Sequence, residues 1–153
     1  MAMDLTSPPR PGSSVMARRN IELQALAVAA VNAREVPREI LAPEFSMENR
    51  AFSVTDYTYR GAAGWRDWMS DIYEEFTRPA RYELEEIIDA TDGFVVASFR
   101  IVGRSVRSRM PLLLCWTGVT WFRDGKLTRI VGYATRRKAL EAAESIDCRA
   151  RCG

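Results

Sequence analysis

Histidine does not occur anywhere in the 153 residues. Its absence removes Ser-His-Asp and Cys-His nucleophile systems, imidazole acid–base chemistry and most catalytic zinc sites. Cysteine is scarce: Cys115, Cys148 and Cys152 make the whole set. Cys148 and Cys152 share one face if the tail is helical, but no further ligands accompany them, so all three read as free thiols. Neither a metal nor a cofactor is expected. No run of about 18 apolar residues is present, so no membrane partner is expected. The N-terminus has no apolar core of the kind a signal peptide needs, which predicts a cytoplasmic protein. The formal charge of +2 is small. With no basic stripe interleaved with aromatics, no nucleic-acid partner is expected either.

Hydrophobic residues make up 47% and charged residues 27% of the chain, values ordinary for a globular domain with a real core. The most informative stretch is Leu112 to Thr135, two strands joined at Arg123-Asp124-Gly125-Lys126. Asp-Gly is a strong hairpin signal, because Gly accepts the positive φ that the turn demands. The first of these strands is apolar or aromatic on both alternating faces. Leu112, Leu114, Trp116, Gly118 and Thr120 lie on one; Leu113, Cys115, Thr117, Val119 and Trp121 lie on the other. Such a strand must be covered twice, by the chain's own helices on one side and by a second layer or a second molecule on the other.

Residues 1–14, with three prolines and two serines at 13 and 14, read as a disordered leader. A single domain over residues 15–145 follows, and 146–153 form a flexible tail. The first helix spans about Val15 to Arg34, and Ser13 or Ser14 can cap it. A short second helix starts at Pro37 and stops at Pro43. Phe45 to Asn49 alternates as a short strand, and Arg50 to Tyr59 reads as a loop. A third helix over Gly61 to Phe76 carries Trp65, Trp68, Met69, Ile72 and Tyr73 at helical spacing, a stripe for core packing or for the wall of a pocket. Strands at Tyr82–Ile88 and Phe94–Val102, the basic loop Arg104 to Arg109, the central hairpin and a closing helix at Arg136–Ser145 complete an α+β plan, with helices on one face of an antiparallel sheet.

Several of these segments match a known pattern. Val31-Asn32-Ala33 ends the first helix, Tyr59-Arg60-Gly61 precedes the third, and Glu85-Glu86-Ile87-Ile88-Asp89-Ala90 lies in a strand. Phe122 to Leu127 makes the turn, and Tyr133 is followed by Ala139-Leu140-Glu141-Ala142. In their order and spacing the chain resembles the SnoaL-like branch of the nuclear-transport-factor-two-like superfamily, which includes ketosteroid isomerase. The resemblance implies a cone-shaped, curved antiparallel sheet wrapped around three N-terminal helices, with a short C-terminal helix. It also implies an apolar pocket inside the cone and pairing of the outer sheet face in a homodimer.

The acid–base residues that such isomerases use are missing at the corresponding positions. The base position falls on Asn49, the tyrosine position on Ala27 and the buried-acid position on Gly118. The carboxylate position of SnoaL-type cyclases and limonene-type epoxide hydrolases falls on Gly132. No residue on the inferred inward series titrates usefully near neutral pH. The expected function is therefore binding of a small, largely apolar cyclic metabolite, lined by Met47, Asn49, Trp68, Trp116, Gly118 and Thr120, with Asn49 as polar anchor. Gly118 and Gly132 serve either backbone geometry or space for that ligand. An atypical cyclase, isomerase or epoxide hydrolase is the alternative, with Asp56, Tyr57 and Arg100 as its weak catalytic candidates. Arg100 equally suits a structural pair with Glu85 or Glu86. A purely dimeric interaction module is the third reading. The homodimer face would comprise Cys115, Thr117, Val119 and Trp121, joined by Val131 and Tyr133.

Overall fold

A computed structural model describes residues 14–51 and 57–152, with the side chains of Arg78 and of residues 146–152 left out. The expected leader, apart from Ser14, and Asp56 lie outside these residues, as do the side chains of Cys148 and Cys152. The elements run α1 (Val15–Asn32), a 3₁₀ turn (Arg38–Ile40), β1 (Leu41–Asn49), β2 (Thr58–Arg60), α2 (Gly61–Tyr73), β3 (Phe76–Ala90), β4 (Phe94–Ser105), β5 (Pro111–Arg123), β6 (Lys126–Tyr133) and α3 (Arg136–Cys152). Among these residues no helix is long and apolar enough to cross a membrane.

One six-stranded sheet has the order β2-β1-β6-β5-β4-β3. It is antiparallel except where β1 runs parallel to β6. The sheet is curled into a cone, and the pairings show how. Register shifts interrupt β3 at Thr77/Arg81, Leu84/Glu86 and Ile87/Asp89, with others between β5 and β6 and along β1. Each bulge bends its strand and adds twist, so several along long strands fold the sheet over on itself. Two of the three prolines within strands sit inside register shifts, where a missing N–H costs little, and the third, Pro111, opens β5. Pro79 is on edge strand β3 inside a register shift, and Pro43 lies between the β1 residues that pair with β6. Pro43 therefore does not end a helix, as its sequence context suggests; β1 already begins at Leu41.

The β5–β6 turn is as expected: Asp124 and Gly125 have φ of 52° and 73°, the two positive values a type I′ turn requires. Helix α1 begins at Ser14, whose Oγ accepts from Ala17 N at 2.9 Å and donates to Asp92 of the β3–β4 turn at 2.7 Å. Three amide side chains fasten the helix further. The Asn20 amide donates to the carbonyls of Thr91 and Asp92, each at 3.0 Å. Thr120 donates to Gln24 Oε1 at 2.6 Å in the core. Asn32 donates to Tyr82 O at 2.8 Å and accepts from Tyr82 N at 2.9 Å.

Strand β5 is covered on both sides along its second half. Inside the cone, Trp116, Phe99, Tyr82, Trp65 and Trp68 pack with Leu23, Ala27 and Val31 of α1. Outside, Val96, Val119, Val131 and Tyr133 pack against Ala139 and Ala143 of α3. The plan with all helices on one sheet face is thus corrected: α3 supplies the second layer on the other face. Small alanines permit that close approach, but their spacing does not say which face they meet.

Candidate functional site

The interior of the cone is the candidate site. Its cavity is bounded by Gln24, Ala27 and Val31 from α1, Met47 and Asn49 from β1, Trp65 and Trp68 from α2, Tyr82 from β3, Phe99 from β4, Trp116 from β5 and Gly132 from β6. The rings form a connected wall. Tyr82 stacks on Phe99 with centroids 5.6 Å apart, Phe99 on Trp116 at 6.1 Å, and Trp68 meets Tyr82 edge-on at 5.9 Å. The space left for a water-sized sphere is about 30 Å³, on the scale of one water molecule.

Two glycines explain how the rings fit. A Cβ on Gly118 would lie 3.0 Å from Phe99 Cε2, and one on Gly132 would lie 3.3 Å from Trp116 Cδ1 and 3.5 Å from Asn49 Oδ1. At both glycines the side-chain volume is taken up by the protein's own aromatics, a close approach of neighbouring rings rather than an unusual backbone conformation.

Of the expected lining residues, Met47, Asn49, Trp68 and Trp116 meet around the cavity. Gly118 lies behind Phe99, and Thr120 is fully buried beneath α1 in its bond to Gln24. Asn49 Oδ1 accepts from the backbone N–H of Ala51 at 3.1 Å, closing the end of β1. Gln24, Trp65, Tyr82 and Phe99 were not anticipated at the site. For Trp65 the helical stripe on α2 carried a signal; for Gln24, its place one turn after Asn20 on an otherwise apolar helix face was the available clue.

Among the described residues, the titratable side chains on the wall are Tyr82 and Glu48. Burial pushes the Tyr82 phenol far above its ordinary value, so it stays neutral. Glu48 borders the cavity through its position on β1, yet its carboxylate is taken by Arg50 at 2.9 Å and Arg129 at 3.2 Å. Partial burial would raise the Glu48 carboxyl, but hydrogen bonds and charge from these two arginines outweigh it and hold the group below the usual carboxylate value. Among the described residues no group of three or more Cys, Asp or Glu side chains converges as a metal site would need.

The weak catalytic candidates are not gathered here. Tyr57 is 57% exposed, with its ring edge against Tyr59 at 4.7 Å. Arg100 lies on the outer sheet face, opposite Phe99's side of β4, and pairs with Glu83 at 2.7 Å and Glu85 at 3.7 Å. Glu86, the other partner offered by the sequence, binds Arg136 of α3 instead, at 2.6 Å. A further polar pair, Tyr59 donating to Asp71 at 2.6 Å, stands on the surface between β2 and α2. Burial and that carboxylate push the Tyr59 phenol well above its ordinary value, which keeps it a donor.

No family model and no curated protein matches the chain. Solved structures do. TerC, co-crystallised with polyporic acid, is 20% identical with a TM-score of 0.63 over 80% of this chain and 96% of TerC. A candidate SnoaL-like polyketide cyclase from Jannaschia sp. CCS1 is 15% identical, with a TM-score of 0.60 over 83% of this chain and 90% of its own. A protein of ketosteroid isomerase-like fold from Catenulispora acidiphila DSM 44928, in complex with trimethylamine, is 13% identical with a TM-score of 0.61 over 78% of this chain and 90% of that one. The chain therefore has the cone fold of the nuclear-transport-factor-two-like superfamily, the fold of SnoaL-like and ketosteroid isomerase-like proteins. At these identities the likeness establishes the fold, and function rests on the site.

Proposed function

We propose that this chain is a binding protein that takes a compact, largely apolar cyclic molecule into its cone and performs no acid–base chemistry on it. The observation that carries the reading is the make-up of the wall: aromatic and aliphatic groups with a few polar atoms, Ala27, Asn49 and Gly132 at the positions where isomerases or cyclases place reactive groups. The structures of TerC with polyporic acid and of the Catenulispora protein with trimethylamine lend support, since both contain small molecules. With room for about one water molecule in the cone, a ring compound enters only as Trp116 or a neighbouring ring moves aside.

A second reading, a dimeric interaction module with a solid core, is favoured by how nearly the rings fill the cone and by apolar side chains left open on the outer face. Tryptophan fluorescence and calorimetric titration with cyclic ketones, alcohols and hydrocarbons separates the two. Saturable binding supports the first reading; silence across the panel replaces it with the second. Ketosteroid isomerase assays should show no turnover above background, and clear turnover would return the chain to the enzymes.

A further inference from the structure

We infer that the cone reads its guest through the free N–H end of the Gln24 side chain, which selects a ring compound presenting an oxygen acceptor over the isosteric hydrocarbon. The inference rests on the reading of the cone as a binding site, and adds to it the ligand class and the residue that reads it. Gln24 lies on α1, is 3% exposed and borders the cavity. One end of its carboxamide is fixed, because Oε1 accepts from the fully buried Thr120 at 2.6 Å. The other end, Nε2, has no hydrogen-bond partner among the described residues, yet it is not closed to a water-sized sphere. The Trp65 Nε1 differs: it is unpartnered but closed off, so no guest reaches it. With Gln24 shut from the outside, the space that Nε2 opens onto is the cavity that the residue lines. Trp68 Nε1 and the Tyr82 hydroxyl, on the same wall, are likewise unpartnered and not closed off.

The acceptors near the void are already spent. Gln24 Oε1 holds Thr120, Asn49 Oδ1 holds the Ala51 N–H, and the Glu48 carboxylate holds Arg50 and Arg129. What the wall still offers is donors. Carboxamide and indole N–H groups donate and never accept, and a phenol O–H can donate as well. Gln24 cannot swing toward an acceptor elsewhere without leaving Thr120 unpaired in the core. A buried donor without a partner is unfavourable, so an oxygen arriving from a guest supplies what Nε2 lacks. The void of about 30 Å³ admits one oxygen-sized group before any ring moves. Ketone and lactone oxygens therefore suit this wall, and a hydrocarbon gains nothing from it.

The test uses ¹⁵N-labelled full-length protein, with the Gln24 side-chain amide signals assigned by their loss in Gln24→Met. It titrates cyclopentanone against methylenecyclopentane, its hydrocarbon isostere. Cyclopentanone should bind about fivefold to tenfold more tightly and move the Gln24 amide protons downfield. Because Gln24 also holds Thr120, the donor is removed in the double variant Gln24→Met/Thr120→Val, with Thr120→Val alone as control. The preference for the ketone should survive in Thr120→Val and fall below about twofold in the double variant. Equal binding of both compounds, or a bound ketone that leaves the Gln24 signals unmoved, overturns the inference while leaving the cone a binding site. A preference that persists undiminished in the double variant overturns it too, since another group then reads the guest. No binding of either compound overturns both readings together. Should the double variant not fold, the wild-type preference and the amide shift decide.

Discussion

Glycine in this chain is mostly a matter of what stands next to it. A Cβ on Gly64 would lie 2.6 Å from the backbone carbonyl carbon of Tyr59, which cannot retreat without moving β2. On Gly118 it would meet the edge of the Phe99 ring at 3.0 Å, and a ring can tilt. Gly64→Ala should therefore destabilise by about 2–3 kcal/mol or more, and Gly118→Ala by about 1 kcal/mol, in denaturant melts. Equal costs at the two sites would mean that Phe99 is as rigid as backbone. Glu48 makes the residue-scale prediction for pH. Its folded pKa is held below the unfolded value, so its stabilising contribution is present above the unfolded value and is lost as pH falls through the folded one. Glu48→Gln should be less stable than wild type at neutral pH, and the gap should close as pH falls below the ordinary carboxylate value and through the lower folded one. A gap independent of pH would remove Arg50 and Arg129 as the cause.

Helix α3 decides how the outer sheet face is covered. Ala139 and Ala143 are fully buried against Val96, Val119 and Val131. A charge placed there has no partner and no solvent, so Ala143→Glu should unhinge the helix and expose the β5 outer row. The expected readout is a loss of several kcal/mol, or insolubility, with dye binding to the exposed apolar face. Arg136→Ala, which removes only the exposed pair with Glu86, should cost well under about 1 kcal/mol. A severe effect from Arg136→Ala and a mild one from Ala143→Glu would reverse this account of what holds α3 down.

For the whole molecule, the open part of the outer face is the question. Beyond α3, Val102 is 40% exposed, Leu113 55% and Met110 63%, with exposed Cys115 beside them. Val102 and Leu113 are paired across β4 and β5 and so form one apolar strip. The face expected to pair, Cys115, Thr117, Val119 and Trp121 with Val131 and Tyr133, is largely closed, because Val119, Val131 and Tyr133 are buried in the cluster with Ala139 and Ala143 of α3. We propose homodimer pairing through the open strip instead. Leu113→Glu should shift sedimentation equilibrium from dimer to monomer while preserving the fold. A wild-type protein that stays monomeric at micromolar concentration would rule the pairing out.

Features whose causes lie within a few residues were legible before any coordinates. The Asp124-Gly125 turn follows from local φ demands, the start of α1 from the Ser14 cap, and the need for two covers on β5 from its alternation. The lack of histidine was equally plain, because a side chain that is not in the chain cannot be supplied by folding. What could not be read are relations between distant segments. That Gly118 and Gly132 seat Phe99 and Trp116, that Arg100 finds Glu83 while Glu86 finds Arg136, and that Trp65 is left without an acceptor all depend on curl and register. Those follow from bulges spread along β3 and β1, which period-two alternation does not reveal. The residue types at the site were written in the chain; their facing one another is a property of the closed cone.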